Sequence, residues 1–468
     1  MVFSSIIFLF AFLPISLVGY YLCRRKARNV FLLIISIFFY AWGEPKFVFI
    51  MLGSLLVNWF FGLMAGALQG KLEGKVVIGA TILFNVSIFF LYKYLGFTIR
   101  NIESLFGVTL NIPKFVLPIG ISFYTFQAMS YVFDCYRGRG QAQKNPLNTA
   151  LYVTMFPQLI AGPIVRYETV AEEINHRQFA LDDFALGVKR FIYGLSKKVL
   201  IANVLAVTAD AFFNQPNYSR ISMLGAWLGV IAYALQIYFD FSGYSDMAIG
   251  LGLMFGFHFD ENFNYPYAAS SITDFWRRWH ISLSSWFRDY VYFPLGGSRV
   301  DTKLHLVFNL FVVWMLTGIW HGASWNFVFW GFFYFVLLTF EKLLNIPQWL
   351  LTHRISAVLY RIFTLIMVIF GWVFFRAPGF KMGVAYLRRM FSFNGDFGFE
   401  GLLANDAALM IVIGSALSAP IAIWISKSKL GQSKPALFFQ ALAIPVLLIL
   451  CISQLAVSNY NPFIYFNF

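Results

Sequence analysis

Charge and cysteine are what this chain lacks. Only 12% of its 468 residues are charged, where a soluble globular protein carries about 25%. So few charges cannot cover a water-exposed surface of this size, which excludes a soluble globule. Acidic side chains are the scarcest: 21 Asp and Glu stand against 35 Lys and Arg, for a net charge of +14. There are three cysteines, Cys23, Cys135 and Cys451, each in or beside an apolar segment. Their spacing fits neither a zinc site nor a disulfide framework. The six histidines include no HExxH and no close pair, so no metal site is indicated.

What is present is apolar and aromatic. The chain is 59% hydrophobic and 20% aromatic, with 57 Phe and a mean hydropathy of +0.70. Lipid-facing and interfacial helices absorb such aromatic surface. The positive charge then reads as the positive-inside rule and contact with anionic lipid. Without a basic soluble domain, nucleic acid is not an expected partner. Arg24, Arg25, Lys26 and Arg28 directly follow an apolar stretch, as a cytoplasmic flank does. Met1–Leu22 lacks a charged n-region and an A-x-A cleavage site, so it is expected to be a retained first span with Met1 on the outer side.

Apolar stretches of spanning length recur: Val2–Leu22, Val30–Trp42, Phe47–Leu68, Val76–Leu95, Val116–Val132, Thr149–Val165, Val188–Phe213, Met223–Phe257, Leu306–Leu344, Val358–Phe375, Ala407–Ile425 and Ala436–Val457. Met223–Phe257 and Leu306–Leu344 exceed one span and are expected to hold two helices, or a helix and a re-entrant piece. The expected architecture is an all-α polytopic membrane protein with roughly 11–13 embedded helices. With short polar gaps and no internal repeat, a single domain is expected over residues 1–468.

Against this background, ionisable residues at membrane depth mark function or a satisfied polar core. His321 lies in Thr317-Gly318-Ile319-Trp320-His321-Gly322, inside the apolar run 306–340. Trp320, Gly322 and Trp325 are the expected walls of an acyl-sized pocket around it, with Asn326 close by in sequence. The bland reading is a neutral histidine hydrogen-bonded in a helix bundle. His280 closes Trp276-Arg277-Arg278-Trp279-His280, 321 − 280 = 41 residues earlier. Two histidines converging from separate elements can share proton handling, one as general base and one as its assistant. The Phe275–Arg299 region is too rich in Arg, Trp and Tyr to face lipid. It is expected to face a cavity or to lie as an interfacial amphipathic helix. Gln236–Asp246 places Asp240 and Asp246 among hydroxyls and a glycine, which reads as a hydrogen-bonded kink or a cavity lining. The chain has no GxSxG elbow, Walker A loop or GxGxxG fingerprint in a convincing context.

These blocks resemble the bacterial membrane-bound O-acyltransferases, above all the alginate O-acetyltransferase type. The resemblance runs nearly end to end. It is carried by LPIGISFYTFQ (117–127), LIAGPIVRY (159–167), YFDFSGYSDMAIGLGLMFGF (238–257), ENFNYPY (261–267), SITDFWRRWHISLSSWFRDYVYFPLGG (271–297), WHGASW (320–325) and the tail YNPFIYF (460–466). One departure is Asn203, after Lys197–Ala202, where alginate-type members are expected to carry Asp. The resemblance implies a ring of helices around a thin central funnel. The family's invariant histidine falls on His321 and its second histidine on His280, so His321 is expected as catalytic base and His280 as its assistant. Arg277, Arg278 and Trp279 are expected to shape the site or hold donor phosphates, with Asp240, Asp246, Trp320 and Asn326 as further candidates.

The resemblance also implies acetyl-CoA as a donor substrate and no permanently bound cofactor. An exported or cell-envelope polysaccharide is the expected acceptor, with periplasmic acetyltransferase proteins and membrane lipids as partners and the bacterial inner membrane as location. Peptidoglycan O-acetylation and teichoic acid D-alanylation are alternatives on the same fold. A transporter or flippase with an intramembrane His/Asp proton relay is the alternative of another class.

Overall fold

The computed structural model describes residues 1–110, 115–346, 353–393, 405–429, 431–458 and 460–464. Tyr465 and Phe466 of the tail motif lie outside the described residues. Among the described residues, nine helices are long and apolar enough to cross a membrane: Arg25–Gly43, Phe47–Ala67, Leu72–Phe106, Leu181–Phe213, Met223–Met254, Lys303–His321, Trp325–Leu343, Arg354–Arg376 and Lys434–Val457. A tenth arises if Asp406–Leu417 and Ile421–Lys427, bent by 59°, form one span, and Phe8–Leu22 is a shorter apolar helix. The described residues contain helices and no strands. That is how a chain in hydrocarbon satisfies its backbone polar groups.

Chain packing divides the molecule into two compact units. The first comprises Met1–Phe191 and Tyr244–Asp260; the second comprises Ile192–Gly243 and Glu261–Phe468.

In the first unit, Phe3, Phe8, Phe12, Phe39 and Phe156 pack ring against ring at 5.0–6.4 Å. Buried Asn58 and Asn85 exchange amide hydrogen bonds of 3.1 and 2.8 Å between the Phe47–Ala67 and Leu72–Phe89 helices. Paired polar groups of this kind tie helices together where water cannot compete. The expected span Thr149–Val165 does not form. Instead, helix Pro146–Thr154 ends at Met155, and only the short turn Phe156–Leu159 follows. Pro157, Gly162 and Pro163 break it, because proline removes a backbone donor and clashes with the preceding turn. The next helix upstream covers Ile121–Arg137 rather than starting at Val116; it begins after Pro118 at Gly120, whose φ is +75°.

In the second unit, the long run 306–344 resolves into two helices. Lys303–His321 and Trp325–Leu343 form a hairpin joined by Gly322-Ala323-Ser324. Gly318 and Gly331 make the close approach possible. A Cβ on Gly318 would lie 2.5 Å from the Phe327 carbonyl oxygen, and one on Gly331 would lie 2.5 Å from that of Trp314. The other long run, expected to divide, does not. Met223–Met254 is one helix of 32 residues, unbroken at Asp240, Ser242 and Gly243. Lys434–Val457 presents Phe438, Phe439, Ile449 and Leu450 outward, as a lipid-facing helix does.

The segment expected at an interface or cavity is folded inside the second unit as short helices, Ile272–Arg278 and Ile281–Phe287, followed by a wide turn at Arg288–Tyr292. Trp276, Trp279, His280 and Trp286 are all buried. It is therefore not an amphipathic surface helix.

Candidate active site

Lys303–His321 ends at its histidine. Gly322 takes extended geometry there, so His321 occupies the last turn beside the hairpin bend. Its ring is packed edge to face by three aromatic rings: Trp320 at 5.0 Å, Trp330 at 5.0 Å and Phe375 at 5.0 Å. The residue is 5% exposed. Of the expected walls, Trp320 holds its place and Gly322 packs against the Phe327 ring. Trp325 does not wall the site: it is 58% exposed at the start of the next helix. Its position after the bend turns it outward, and Trp330, one and a half turns further along, faces inward instead. Trp330 and Phe375 were missed because an all-round aromatic helix carries no periodic signal of its inner face.

His280 sits at the break between the two short helices with φ +46° and ψ +55°. Left-handed geometry is uncommon for a non-glycine residue and persists only where the surroundings hold it. Here Asn262 does the holding. Its Oδ1 lies 3.1 Å from His280 Nδ1 and accepts from the Ser282 N–H and hydroxyl at 3.2 and 2.9 Å. Phe241 meets the His280 ring edge to face at 4.6 Å. His280 lies outside the candidate spans, and burial pushes its imidazole down to about 3. It is therefore neutral at physiological pH. Trp320 connects the two histidines, with its ring 6.2 Å from His280 and 5.0 Å from His321.

The helix that leads to His280 is anchored from below by a residue that sequence reasoning missed. Glu341, 2% exposed, accepts from the N–H groups of Ile272 and Thr273 at 2.7 and 2.8 Å. It also accepts from the Thr273 hydroxyl at 2.6 Å and the Tyr360 hydroxyl at 2.7 Å. A carboxylate over a helix start satisfies donors that lack intrahelical partners. From that anchor the helix climbs beside the hairpin: Trp276 meets Trp314, Trp330 and Tyr334 at 4.9, 5.4 and 4.8 Å, and His280 follows at the level of Trp320. Glu341→Leu should strand buried donors and lower stability by about 1–3 kcal/mol for each donor left unsatisfied. A fall in the unfolding temperature in detergent, with Lys342→Ala as unaffected neighbour, checks this. An unchanged melting temperature for Glu341→Leu would remove Glu341 as an anchor.

The remaining candidates divide. Trp279 is a core aromatic, stacked on Phe275 at 5.7 Å and packed against Trp372 at 4.7 Å. Arg278 pairs with Asp274 at 2.8 Å, and Arg277 is exposed. Asn326 donates to the carbonyls of Phe374 and Ala377 at 3.1 and 3.2 Å and accepts from Ser324. It thereby ties the hairpin bend to the end of Arg354–Arg376. Asp240 forms a buried ion pair with Lys198 at 2.6 Å and accepts from the Ile464 N–H at 2.9 Å. Lys198 also donates to the Pro462 carbonyl. Asn203, the departure from the expected Asp, donates to Asn461 Oδ1 at 3.2 Å. These polar residues therefore secure the tail motif. Asp246 belongs to the first unit, where it pairs with Arg190 at 2.9 Å.

An all-helical fold with this many apolar helices of spanning length defines a polytopic membrane protein, with a histidine buried in an aromatic box. The profile of the family described as MBOAT, membrane-bound O-acyltransferase, matches residues 142–382, which include both histidines. The chain is 44% identical over 400 residues to the probable alginate O-acetylase AlgI of Pseudomonas aeruginosa, covering 84% of this chain and 75% of that protein. Its identity to the Pseudomonas putida protein of the same description is 40%, over 100% of both chains. The peptidoglycan O-acetyltransferase of Helicobacter pylori is 34% identical over 84% of this chain and 80% of its own length. The chain belongs to the membrane-bound O-acyltransferase family and is an O-acyltransferase.

Proposed function

We propose that this protein transfers acetyl from cytoplasmic acetyl-CoA, across the bacterial inner membrane, toward hydroxyls of an exported polysaccharide of the alginate type. The observation that carries the reading is His321, buried among Trp320, Trp330 and Phe375 within the matched family region. Full-length similarity to proteins described as alginate O-acetylases supports alginate-type chemistry over peptidoglycan or teichoic acid.

In this reading His321 is the general base. It takes the proton of the acceptor hydroxyl as that oxygen attacks the thioester carbonyl. The C–S bond breaks, an ester forms, and the CoA thiolate leaves and is reprotonated. His280, held neutral, assists proton handling. Exposed Arg277 is the residue suited to donor phosphates, whereas Arg278 is engaged by Asp274. Arg24–Arg28 faces the cytoplasm and Met1 the periplasm, and partner proteins on that side carry the acetyl group to the polymer.

Inverted vesicles test this. With labelled acetyl-CoA outside, label should reach an enclosed acceptor or partner protein without any ion gradient. Activity only with an acylated carrier protein would move the assignment to D-alanylation. Dependence on a proton gradient with no acyl transfer would identify a transporter.

A further inference from the structure

We propose that Asn262 is a positioning residue that sets the tautomer of His280, keeping the ring proton on Nδ1 and the lone pair on Nε2. The inference rests on reading His280 as part of the active site and goes beyond it by naming what fixes its chemistry.

The argument turns on which amide atom of Asn262 faces the histidine. Oxygen and nitrogen of an asparagine amide are assigned from the hydrogen bonds around them. Here the assignment is forced. The backbone N–H of Ser282 points at the same atom at 3.2 Å, and a backbone N–H only donates. That atom is therefore the amide oxygen. An amide oxygen offers no proton, so the 3.1 Å contact with His280 Nδ1 is a hydrogen bond only when Nδ1 carries the proton; the Ser282 hydroxyl, 3.4 Å from Nδ1, lies nearer the amide oxygen and donates there. In a neutral imidazole the other nitrogen then carries the lone pair. The Ser282 hydroxyl, 2.9 Å from the same oxygen, is a third group drawn to it.

Asn262 also fixes the ring's position. Its backbone carbonyl accepts from the Ile281 N–H at 2.9 Å. One residue thus grips three consecutive positions, 280, 281 and 282. The neighbouring bond from Asn264 N–H to the Arg278 carbonyl, 2.9 Å, closes the strap on the other side. This explains how His280 keeps φ +46° at the junction of two helices. Asn262 is itself 1% exposed, so water does not compete for its oxygen. Orienting partners of this kind fix both the tautomer and the direction of a working histidine.

The test has a spectroscopic and a kinetic arm, both on the full chain in lipid nanodiscs. Nitrogen-15 NMR of ring-labelled histidine, with His280→Gln identifying its signals, should show His280 protonated at Nδ1. Asn262→Leu should abolish that single-tautomer signature. Observation of the Nε2-protonated form in the native protein overturns the proposal, whatever the activity. Kinetically, Asn262→Leu should lower kcat by roughly 10- to 100-fold, part of the roughly 100- to 10,000-fold worth of general acid–base catalysis, with KM for donor little changed. Asn262→Asp keeps the accepting oxygen and should recover most of kcat. Its added negative charge favours the imidazolium, so the acid limb of the pH–rate profile should move to higher pH. In a His280→Ala background, Asn262→Leu should add no further loss. Should Asn262→Leu fail to fold, an unshifted pH profile in Asn262→Asp overturns the proposal. Full activity in His280→Ala would overturn the role of His280 in the reaction and leave the tautomer to be decided by the NMR arm alone.

Discussion

His321→Ala should insert and fold normally yet lose acyl transfer by roughly 100- to 10,000-fold, the usual worth of a general base. The ring sits at the end of its helix, and two of its neighbours, Trp330 and Phe375, contact each other as well as the histidine, 5.4 Å apart. The aromatic box therefore has support of its own, and a cavity the size of an imidazole should be tolerated. His321→Gln is the sharper variant, because it keeps much of the volume and a hydrogen-bonding end but cannot act as a base near neutral pH. Both variants should be compared with the native protein for yield, detergent stability and acetylation of the polymer. A well-expressed His321→Gln protein that acetylates at a native rate would exclude the histidine from proton transfer.

Removal of one partner of the Lys198–Asp240 pair should be the most destabilising single change outside the aromatic core. The two charges are 2.6 Å apart, with side chains 3% and 2% exposed. Breaking a buried pair from one side leaves the other charge without compensation and costs about 3–5 kcal/mol. Lys198→Met also removes the donor to the Pro462 carbonyl, and Asp240→Leu removes the acceptor of the Ile464 N–H. Both should loosen the tail as well as lower the unfolding temperature, visible as faster proteolysis after Val457. The double variant Lys198→Met with Asp240→Leu should be more stable than either single one, since replacing both charges with apolar groups is often neutral. If the double variant loses as much as the two single losses added together, the charges do not act as a pair. Loss of acyl transfer in proportion to loss of the tail would make the pair a scaffold for the tail, as its geometry indicates, rather than a contact to substrate.

Membrane class was decided by the sequence alone, because it is additive over local stretches. Each apolar run of spanning length carries its own partition free energy, regardless of its neighbours. His321 was legible for a related reason: an ionisable group inside such a run is conspicuous wherever it lies. The motif blocks around His280 and His321 added the family, and the family profile covers both.

The tertiary structure alone decided what surrounds them. Asp240 looked like a kink or a cavity lining, and helix packing gave it Lys198 and a backbone donor from Ile464, 464 − 240 = 224 residues away. Glu341 carried no signal in the sequence, and the structure shows it holding the start of the Ile272–Arg278 helix. Asn262 was one letter in a motif, and proved to clamp the turn at His280. Trp325 and Trp330 are the same residue type five positions apart, one exposed and one buried. In a soluble helix the polar face would tell them apart. Here lipid and protein interior are both apolar, so hydropathy is blind to which side faces the core. Whether helices meet, and which polar group meets which, is settled by close packing and by the need of every buried donor and acceptor for a partner. Those conditions act between distant segments and leave no trace in the local pattern of the chain.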